Sequence, residues 1–171
     1  MKLPIWKTLE PDIDLPRNIA LLDTNVLVSY CDPSEKTHED TIAALDMAEF
    51  SWAVTRSVVV ETSGFLAGSR KRPDLAQHLM EWVMTPGELI RIGETTESME
   101  AARQYSRQFR VDFVDATLLD LANQISTKLD LTPSVHVATY DTRDFLMLYG
   151  QDGLNFHVYD MRDLSSTNQE L

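Results

Sequence analysis

The amino-acid sequence predicts an α/β domain built on a mainly parallel central sheet. The apolar run Ile19–Leu22 is too short for a helix and has no polar alternation, so it is typical of a strand covered on both faces. A second strand-like run, 135–140, ends at an aspartate in the same way as the first. Segments with helical periodicity separate the predicted strands, as the crossovers of a parallel sheet require.

The remaining elements follow one another along most of the chain. Helices are placed by apolar residues at three- and four-residue spacing or by a capping residue, and strands by short apolar or β-branched runs. The β-branched run 58–60 could instead extend the second strand. In order, the predicted elements are a turn or helix at 26–30, a helix at 39–50, a strand at 52–55, a helix from Ser57, a helix at 74–84, a strand at 89–92, a helix from 95 or 96 to 110, a helix at 112–129, the strand at 135–140, a helix at 144–149 and a strand at 156–159.

Length and composition indicate a single domain without disulfides. The 171 residues fit one domain that can bury a substantial core. We expect residues 1–18 to form an extension laid over the first strand or partly disordered, 19–160 to form the domain, and 161–171 to form a polar tail. The only cysteine is Cys31, and neither a signal peptide nor eighteen consecutive apolar residues are present. The sequence therefore predicts a cytoplasmic protein without membrane contact.

Charge argues against a broad nucleic-acid surface. The formal net charge is −12 and the isoelectric point is near 4.6, whereas affinity for nucleic acids comes largely from lysine and arginine contacts to phosphates. This argument weakens if several of the acids cluster to hold divalent cations, because bound cations reverse the local charge.

Four carboxylates stand where a parallel sheet would bring them together. Asp23 and Asp141 directly follow strands, and the crevice of an open α/β sheet lies beyond the carboxyl ends of its strands. Glu61 and Asp115 each share a helix face with apolar residues at three- and four-residue spacing. An unpaired charge on an apolar face is costly, so each of these acids should have a cation or a strong partner.

Simpler interpretations of these acids remain open at the level of sequence. Asp23 could do no more than make a local turn with its own backbone. Glu61 could face water from the first turn of its helix. The helix at 112–129 also has a predicted water-facing side, which consists of Thr117, Asp120, Gln124 and Lys128.

The four acids together predict a divalent-cation site. Carboxylate oxygens, with no cysteine or histidine at metal-ligand spacing, favour Mg²⁺ or Mn²⁺ over Zn²⁺. One or two ions are expected, because the set is larger than one Mg²⁺ usually takes from protein. With no Ser-His or Cys-His arrangement in the sequence, we expect metal-activated water, and not a side chain, to be the nucleophile. The predicted catalytic and ligating residues are Asp23, Glu61, Asp115 and Asp141, with Asp112 and Asp144 as extra ligands.

Four motifs in this order resemble the successive motifs of the PIN-domain nucleases, including the VapC-type toxins. They are Leu-Leu-Asp-Thr-Asn-Val-Leu at 21–27, Glu61 after Ser57, Asp-Phe-Val-Asp-Ala at 112–116 and Ala-Thr-Tyr-Asp-Thr-Arg-Asp-Phe at 138–145. The resemblance spans about 19–159 and implies a three-layer α/β/α fold with a mainly parallel sheet. It also implies a metal site formed by the acids that match Asp23, Glu61, Asp115 and Asp141, assisted by the acid that matches Asp144.

Function follows from the same resemblance as an expectation. It implies an endoribonuclease that cleaves single-stranded RNA and leaves a 5′-phosphate and a 3′-hydroxyl. A toxin of this type would have a small antitoxin protein as a partner, and a homodimer is a further expectation. We expect RNA contacts from the two basic clusters of this acidic chain, and charge reversal of either should weaken binding. These clusters are Arg70, Lys71 and Arg72, and the helical stripe Arg103, Arg107 and Arg110.

Three other classes compete with this interpretation. A phosphatase of the haloacid dehalogenase type needs a second aspartate two residues after the first, where this chain has Asn25. A response-regulator receiver needs a lysine after a late strand, and none follows Tyr159. The non-enzymatic rival is a PIN-like module that is kept for binding a partner and has lost its activity.

Overall fold

The computed structural model describes residues 6–9, 14–128, 135–148, 151 and 154–166. The strands in these ranges are β1 (Ile19–Leu22), β2 (Ser51–Thr55), β3 (Ile90–Ile92), β4 (Val135–Thr139) and β5 (His157–Asp160). The helices are α1 (Thr24–Cys31), α2 (His38–Met47), α3 (Arg56–Gly64), α4 (Pro73–Met84), α5 (Thr96–Phe109), α6 (Phe113–Lys128), α7 (Thr142–Leu148) and α8 (Met161–Ser166), and a π-helical turn (Phe65–Ser69) follows α3. Residues 129 and 149, the predicted last residues of two helices, and the predicted tail from 167 onward lie outside the described residues.

The five strands form one parallel sheet, which confirms the predicted fold class. Their order is β3-β2-β1-β4-β5, so β1 is the central strand and pairs with β2 on one side and β4 on the other. All four residues of β1 are fully buried. Because successive side chains of a strand point to opposite faces, this burial requires cover on both faces of the sheet, as in a three-layer α/β/α arrangement.

The strand order determines where a ligand crevice can form. From β1 the chain moves outward through β2 to β3, and it then returns to place β4 on the other side of β1. The point at which the order reverses therefore lies between β1 and β4. In open α/β sheets the ligand crevice forms beyond the carboxyl ends of the strands at such a point. Asp23 directly follows β1, and Asp141 follows β4 after one intervening residue, Tyr140.

Three element boundaries differ from the sequence predictions. Helix α3 is capped by Thr55, whose Oγ1 accepts a hydrogen bond from the backbone N–H of Val58 (3.2 Å), and not by Ser57, whose own N–H donates to the Glu94 carboxylate (2.8 Å). The extension does not lie over β1 at residues 6–9, because Lys7 pairs with Ile92 at the free edge of β3. Residues 161–166, predicted as the start of a polar tail, form α8.

Helix α8 is held to the core by its first residue. Met161 is fully buried in the core cluster, and α8 packs against α2. Among the described residues, no helix is both long and apolar enough to cross a membrane.

The predicted water-facing side of α6 is wrong at Thr117 and Asp120, whereas Gln124 is partly buried and Lys128 is exposed as predicted. Helix α5 packs against this side, so Thr117 is fully buried and Asp120 is 4% exposed. Asp120 accepts hydrogen bonds from Ser98 Oγ and Gln124 Nε2, both at 2.6 Å. Burial raises the pKa of Asp120, and these two hydrogen bonds oppose that rise. The side of α6 that is polar in sequence is thus an internal contact between two helices.

The Ser98 hydrogen bond should contribute measurably to stability. Ser98→Ala leaves the buried Asp120 carboxylate short of a donor, and we expect it to lower the free energy of unfolding by about 1–3 kcal/mol in urea denaturation. Ser126→Ala is the matched control, because the Ser126 hydroxyl is equally buried but has no hydrogen-bond partner. Removal of that hydroxyl should be neutral or stabilising. Equal losses of unfolding free energy in the two variants would contradict a stabilising role of the Ser98 hydrogen bond.

Candidate functional site

A cleft of about 510 Å³ opens beyond the carboxyl ends of β1 and β4. Side chains from the β1–α1 and β4–α7 junctions, from α3 and the π-helical turn, and from the start of α6 form its walls. The lining residues are Asp23, Thr24, Asn25, Val28, Ser29, Glu35, Thr37, Glu61, Phe65, Arg70, Asp112, Asp115, Tyr140, Asp141, Asp144 and Phe145. All four predicted catalytic acids and both predicted extra acids therefore share one cleft, although they are far apart in sequence.

Asp23 is the buried acid of this cleft, with 5% exposure. It is the N-cap of α1, and its Oδ1 accepts a hydrogen bond from the backbone N–H of Thr24 (2.6 Å). Its Oδ2 accepts from Thr139 Oγ1 (2.7 Å) and from Asn25 Nδ2 (2.8 Å). The local backbone interaction thus accounts for one carboxylate oxygen, whereas the other is held by the end of β4 and by α1.

Asn25 and Thr139 join the ends of β1 and β4, and sequence reasoning assigned neither a role in the site. Asn25 Nδ2 also donates to Thr139 Oγ1 (2.9 Å), and Asn25 Oδ1 accepts from the N–H of Tyr140 (3.0 Å). Thr139 Oγ1 accepts in addition from the N–H of Asp141 (3.0 Å). The Thr139 hydroxyl thus uses its one proton and both lone pairs. The available signal in the sequence was the presence of a short polar residue two positions from each of the two strand-end acids.

Glu61 and Asp115 approach the cleft from two helices. Glu61 is exposed and accepts a hydrogen bond from the Thr24 hydroxyl. Its predicted position on an apolar face is wrong, because α3 packs through a different stripe, which consists of Val58, Val59 and Thr62. Asp115 lies in the first turn of α6 and is partly buried.

The other acids lie toward the open side of the cleft. Asp141 lies two residues beyond the end of β4 and is exposed, and Asp144 is exposed in the first turn of α7. Asp112 precedes α6, where its Oδ1 accepts from the N–H of Val114 (2.8 Å). Glu35 also lines the cleft and is partly buried. The cleft therefore holds one buried carboxylate, two partly buried carboxylates and four exposed ones.

Burial and mutual repulsion raise the pKa values of the two inner acids. Burial raises the pKa of Asp23 to about 6, against the opposing hydrogen bonds from Thr139 and Thr24, and the charges of Glu61 and Asp141 add to the rise. Burial raises the pKa of Asp115 to about 7, with further contributions from the charges of Asp23 and the other cleft acids. Both carboxyls therefore bind protons near neutral pH, as expected where several acids share a site without a cation.

The donor set fits a hard divalent cation. Seven acids and one arginine line the cleft, and none of its lining residues is a cysteine or histidine. Within the described ranges no three such side chains already converge as metal ligands. The residues that could hold an ion are Asp23 and Asp115, together with the exposed carboxylates of Glu61 and Asp141. Asp112 and Asp144 are placed for additional or water-mediated contacts.

Of the predicted basic residues, only Arg70 lines the cleft. Its guanidinium donates to Glu35, and its Nη1 lies 3.9 Å from Asp32 Oδ2. Arg72 instead pairs with Asp74 (2.7 Å) and Arg103 with Glu100 (2.5 Å), both on the surface. The structure therefore separates Arg70 from the other members of the two predicted clusters, which are Lys71, Arg72, Arg103, Arg107 and Arg110.

The fold and the cleft define a parallel α/β protein with a cluster of acids beyond its central strand. Comparison with protein families identifies the family to which the chain belongs. The sequence profile of the PIN domain matches residues 20–148, which is more than half of the chain, and the chain therefore belongs to the PIN domain family. This confirms the resemblance drawn from the sequence motifs. A search of curated proteins finds no match.

Solved structures share the fold at low sequence identity. VapC20 of Mycobacterium tuberculosis, described as a sarcin-ricin loop cleaving toxin, superposes with a TM-score of 0.62 at 14% identity over 75% of this chain and 94% of that one. FitAcB of Neisseria gonorrhoeae gives 0.57 at 20% identity over 84% and 98% of the two chains. A toxin-antitoxin complex from Klebsiella pneumoniae gives 0.54 at 18% identity over 83% and 97%. At these identities the likeness is one of fold.

Replacement of Asp115 by asparagine should stabilise the metal-free protein, and more so at pH 8 than at pH 4. The pKa of Asp115 in the folded chain is about 7, above the value of about 3.9 in an unfolded chain. The folded protein therefore holds more protons between these values and loses stability as pH rises through that window. We expect the asparagine variant to gain about 1–2 kcal/mol at pH 8, since solvent at the open cleft screens part of the repulsion, and little at pH 4.

The measurement is urea unfolding in EDTA at the two pH values. Asp74→Asn is the control of opposite sign, because Arg72 lowers the pKa of Asp74 and the ionised form is the stabilising one. A gain for Asp115→Asn that is the same at both pH values would show that charge is not its cause.

Proposed function

We propose that this PIN-domain protein is a divalent-metal-dependent endoribonuclease that cleaves single-stranded RNA with a water nucleophile. The main observation behind this proposal is that acids from four segments of the chain converge on one cleft. This cleft lies where the strand order of the sheet reverses, between β1 and β4. The raised pKa values of Asp23 and Asp115 support the proposal, because both acids would ionise fully beside a cation.

The residues have distinct parts in this mechanism. Asp23 is the fixed ligand, because Asn25, Thr139 and the N–H of Thr24 hold its carboxylate in one orientation. Asp115, Glu61 and Asp141 complete the ligand set, with Asp112 and Asp144 as extra ligands. One or two Mg²⁺ or Mn²⁺ ions bound here would lower the pKa of water and neutralise the charge that develops on the phosphate.

The side chains of the cleft favour water over a protein nucleophile. None of its lining residues is a histidine or cysteine, so neither a Ser-His nor a Cys-His pair is available there. Cys31 lies nearby in sequence, but it is buried and its pKa is raised to about 12, so its thiol stays protonated. By resemblance to other PIN-domain nucleases, water should displace the ribose 3′-oxygen from phosphorus, which leaves a 5′-phosphate and a 3′-hydroxyl.

The arrangement argues against a phosphatase of the haloacid dehalogenase type. That chemistry needs an acid where this chain has Asn25, and the Asn25 amide is engaged with Asp23 and Thr139. A PIN-like module without activity remains the non-enzymatic alternative, and the cleavage experiment below separates the two.

We further propose that the protein is the toxin of a toxin–antitoxin pair. VapC20, described as a toxin, and the toxin–antitoxin complex from Klebsiella pneumoniae support a small antitoxin protein as its partner. A homodimer and a cytoplasmic location belong to the same proposal.

The purified protein should cleave single-stranded RNA in the presence of Mg²⁺ or Mn²⁺ and should be inactive in EDTA. Asp115→Asn should lower the cleavage rate by about a hundredfold or more, because it removes a charged ligand from the cleft. Asp120→Asn is the matched control, since this buried acid lies on the same helix but outside the cleft. It should cleave at the wild-type rate once a thermal melt has verified its fold.

Product chemistry tests the nucleophile. End-labelled products should carry 5′-phosphate and 3′-hydroxyl ends. Products that end in a 2′,3′-cyclic phosphate would mean that the ribose 2′-hydroxyl attacks. Cleavage that persists in EDTA would contradict the metal-dependent proposal.

The basic residues should differ in their contributions to RNA binding. Arg70→Gln should weaken binding of single-stranded RNA and reduce the salt slope by about one, because this arginine lines the cleft. A variant that reverses Arg103, Arg107 and Arg110 together tests the α5 stripe by fluorescence anisotropy. If both variants bind RNA with the affinity and salt dependence of the wild type, the proposed RNA contacts are wrong.

A further inference from the structure

One aromatic side chain in the cleft has no part in the chemistry proposed above. Phe65 lines the cleft and is 36% exposed, whereas the other lining apolar residues are nearly covered, with Phe145 at 2% and Val28 at 8%. Tyr140 also lines the cleft, but its hydroxyl is hydrogen-bonded to Thr41 (2.7 Å). Phe65 is therefore the aromatic ring of the cleft that presents substantial surface to a ligand.

The backbone at Phe65 is irregular. The regular α-helix ends at Gly64, and Phe65–Ser69 form a π-helical turn in which the N–H of Arg70 donates to the carbonyl of Phe65 (3.0 Å). Such turns are rare and occur frequently at functional sites. Their wider winding brings residues five apart close together, and the Arg70 guanidinium lies 5.3 Å from the centroid of the Phe65 ring.

Arg70 is itself held in place. Its guanidinium donates to Glu35 and lies 3.9 Å from Asp32, which is buried. The carboxylates of Glu35, which lines the cleft, and of Asp32 thus anchor the arginine that lies over the ring. A cation at this position is attracted by the aromatic face and limits the orientations of the ring.

The surroundings of Phe65 leave its ring accessible. A Cβ atom added at Gly64 or Gly68 would meet no neighbouring heavy atom within 4 Å, so open space lies beside the turn. Phe65 also follows Glu61 by one helical turn, and residues at this spacing lie about 5–6 Å apart at Cβ. A nucleotide with its phosphate near Glu61 would therefore place its base within reach of Phe65.

We propose that Phe65 is a nucleobase-stacking residue of the cleft and that Arg70 positions its ring. This inference rests on the proposed ribonuclease function. It adds a surface that binds the nucleobase, which the acids of the cleft do not provide. Single-stranded RNA is commonly bound by stacking of unpaired bases on aromatic side chains, and this contact tolerates any base but favours those that stack strongly. Phe65 thus selects unpaired nucleotides, with a preference for purines beside the cleaved bond.

The test measures binding of fluorescein-labelled 12-nucleotide oligoadenylate and oligouridylate in the cleavage-impaired Asp115→Asn background with Mg²⁺. Phe65→Leu should weaken oligoadenylate binding roughly five- to hundredfold and oligouridylate binding less, with an unchanged salt slope because no charge is removed. Phe65→Tyr retains a stacking face and should stay within about twofold of the parent. Leu146→Ala, an exposed apolar position outside the cleft, should change neither affinity.

A second arm uses the otherwise wild-type enzyme and any RNA that it cleaves. Phe65→Leu should raise KM with little change in kcat, since a stacked base is bound equally in the ground and transition states. Loss of binding in Phe65→Tyr equal to that in Phe65→Leu, or no loss in either, would overturn the stacking role. Wild-type cleavage that is insensitive to Phe65→Leu refutes only this inference, whereas absence of metal-dependent cleavage in the wild type refutes the proposed function.

Discussion

Burial of the Asp23 carboxylate at the end of the central strand is the constraint on which the site depends. An ionised carboxylate in such a place costs several kcal/mol unless donors surround it. Its donors come from the first residues of α1 and from the end of β4. They can reach Asp23 only if β4 lies beside β1, so the strand order of the sheet is a requirement of the site as well as of the core. Asn25 strengthens this link because it binds Asp23, Thr139 and the backbone of Tyr140 together.

The cleft works against the stability that the core provides. Repulsion among the acids and desolvation of Asp23 and Asp115 raise both pKa values, which is the same as a loss of folding free energy at neutral pH. The strand that carries Asp23 is fully buried, and burial of each large aliphatic side chain contributes about 1.5–3 kcal/mol. A cluster of mutually repelling acids is tolerated because it adjoins the fully buried central strand. A cation that binds only the folded chain would then recover the lost stability.

Sequence reasoning predicted the parallel sheet and the acids of the cleft because both leave local signals. Short apolar runs indicate buried strands, and an acid directly after such a run lies at the sheet edge whatever the rest of the chain does. The hydrogen bonds from Asn25 and Thr139 had no such signal, because these residues are 114 positions apart in sequence. Asp120 was misassigned for a related reason, since periodicity identifies the polar side of α6 but cannot reveal that α5 covers it.

The acidic net charge of the chain argues against an RNA substrate. The acids of the cleft account for much of this charge. Seven acids and one arginine give the cleft a formal charge of −6, which is half of the −12 carried by the whole chain. Two divalent ions would reduce the charge of the cleft to −2, and Arg70 stands in the same wall as the exposed ring of Phe65. The acidic composition therefore reflects in large part a concentration of metal ligands, while RNA recognition depends on cations, on one arginine and on stacking, which needs no charge.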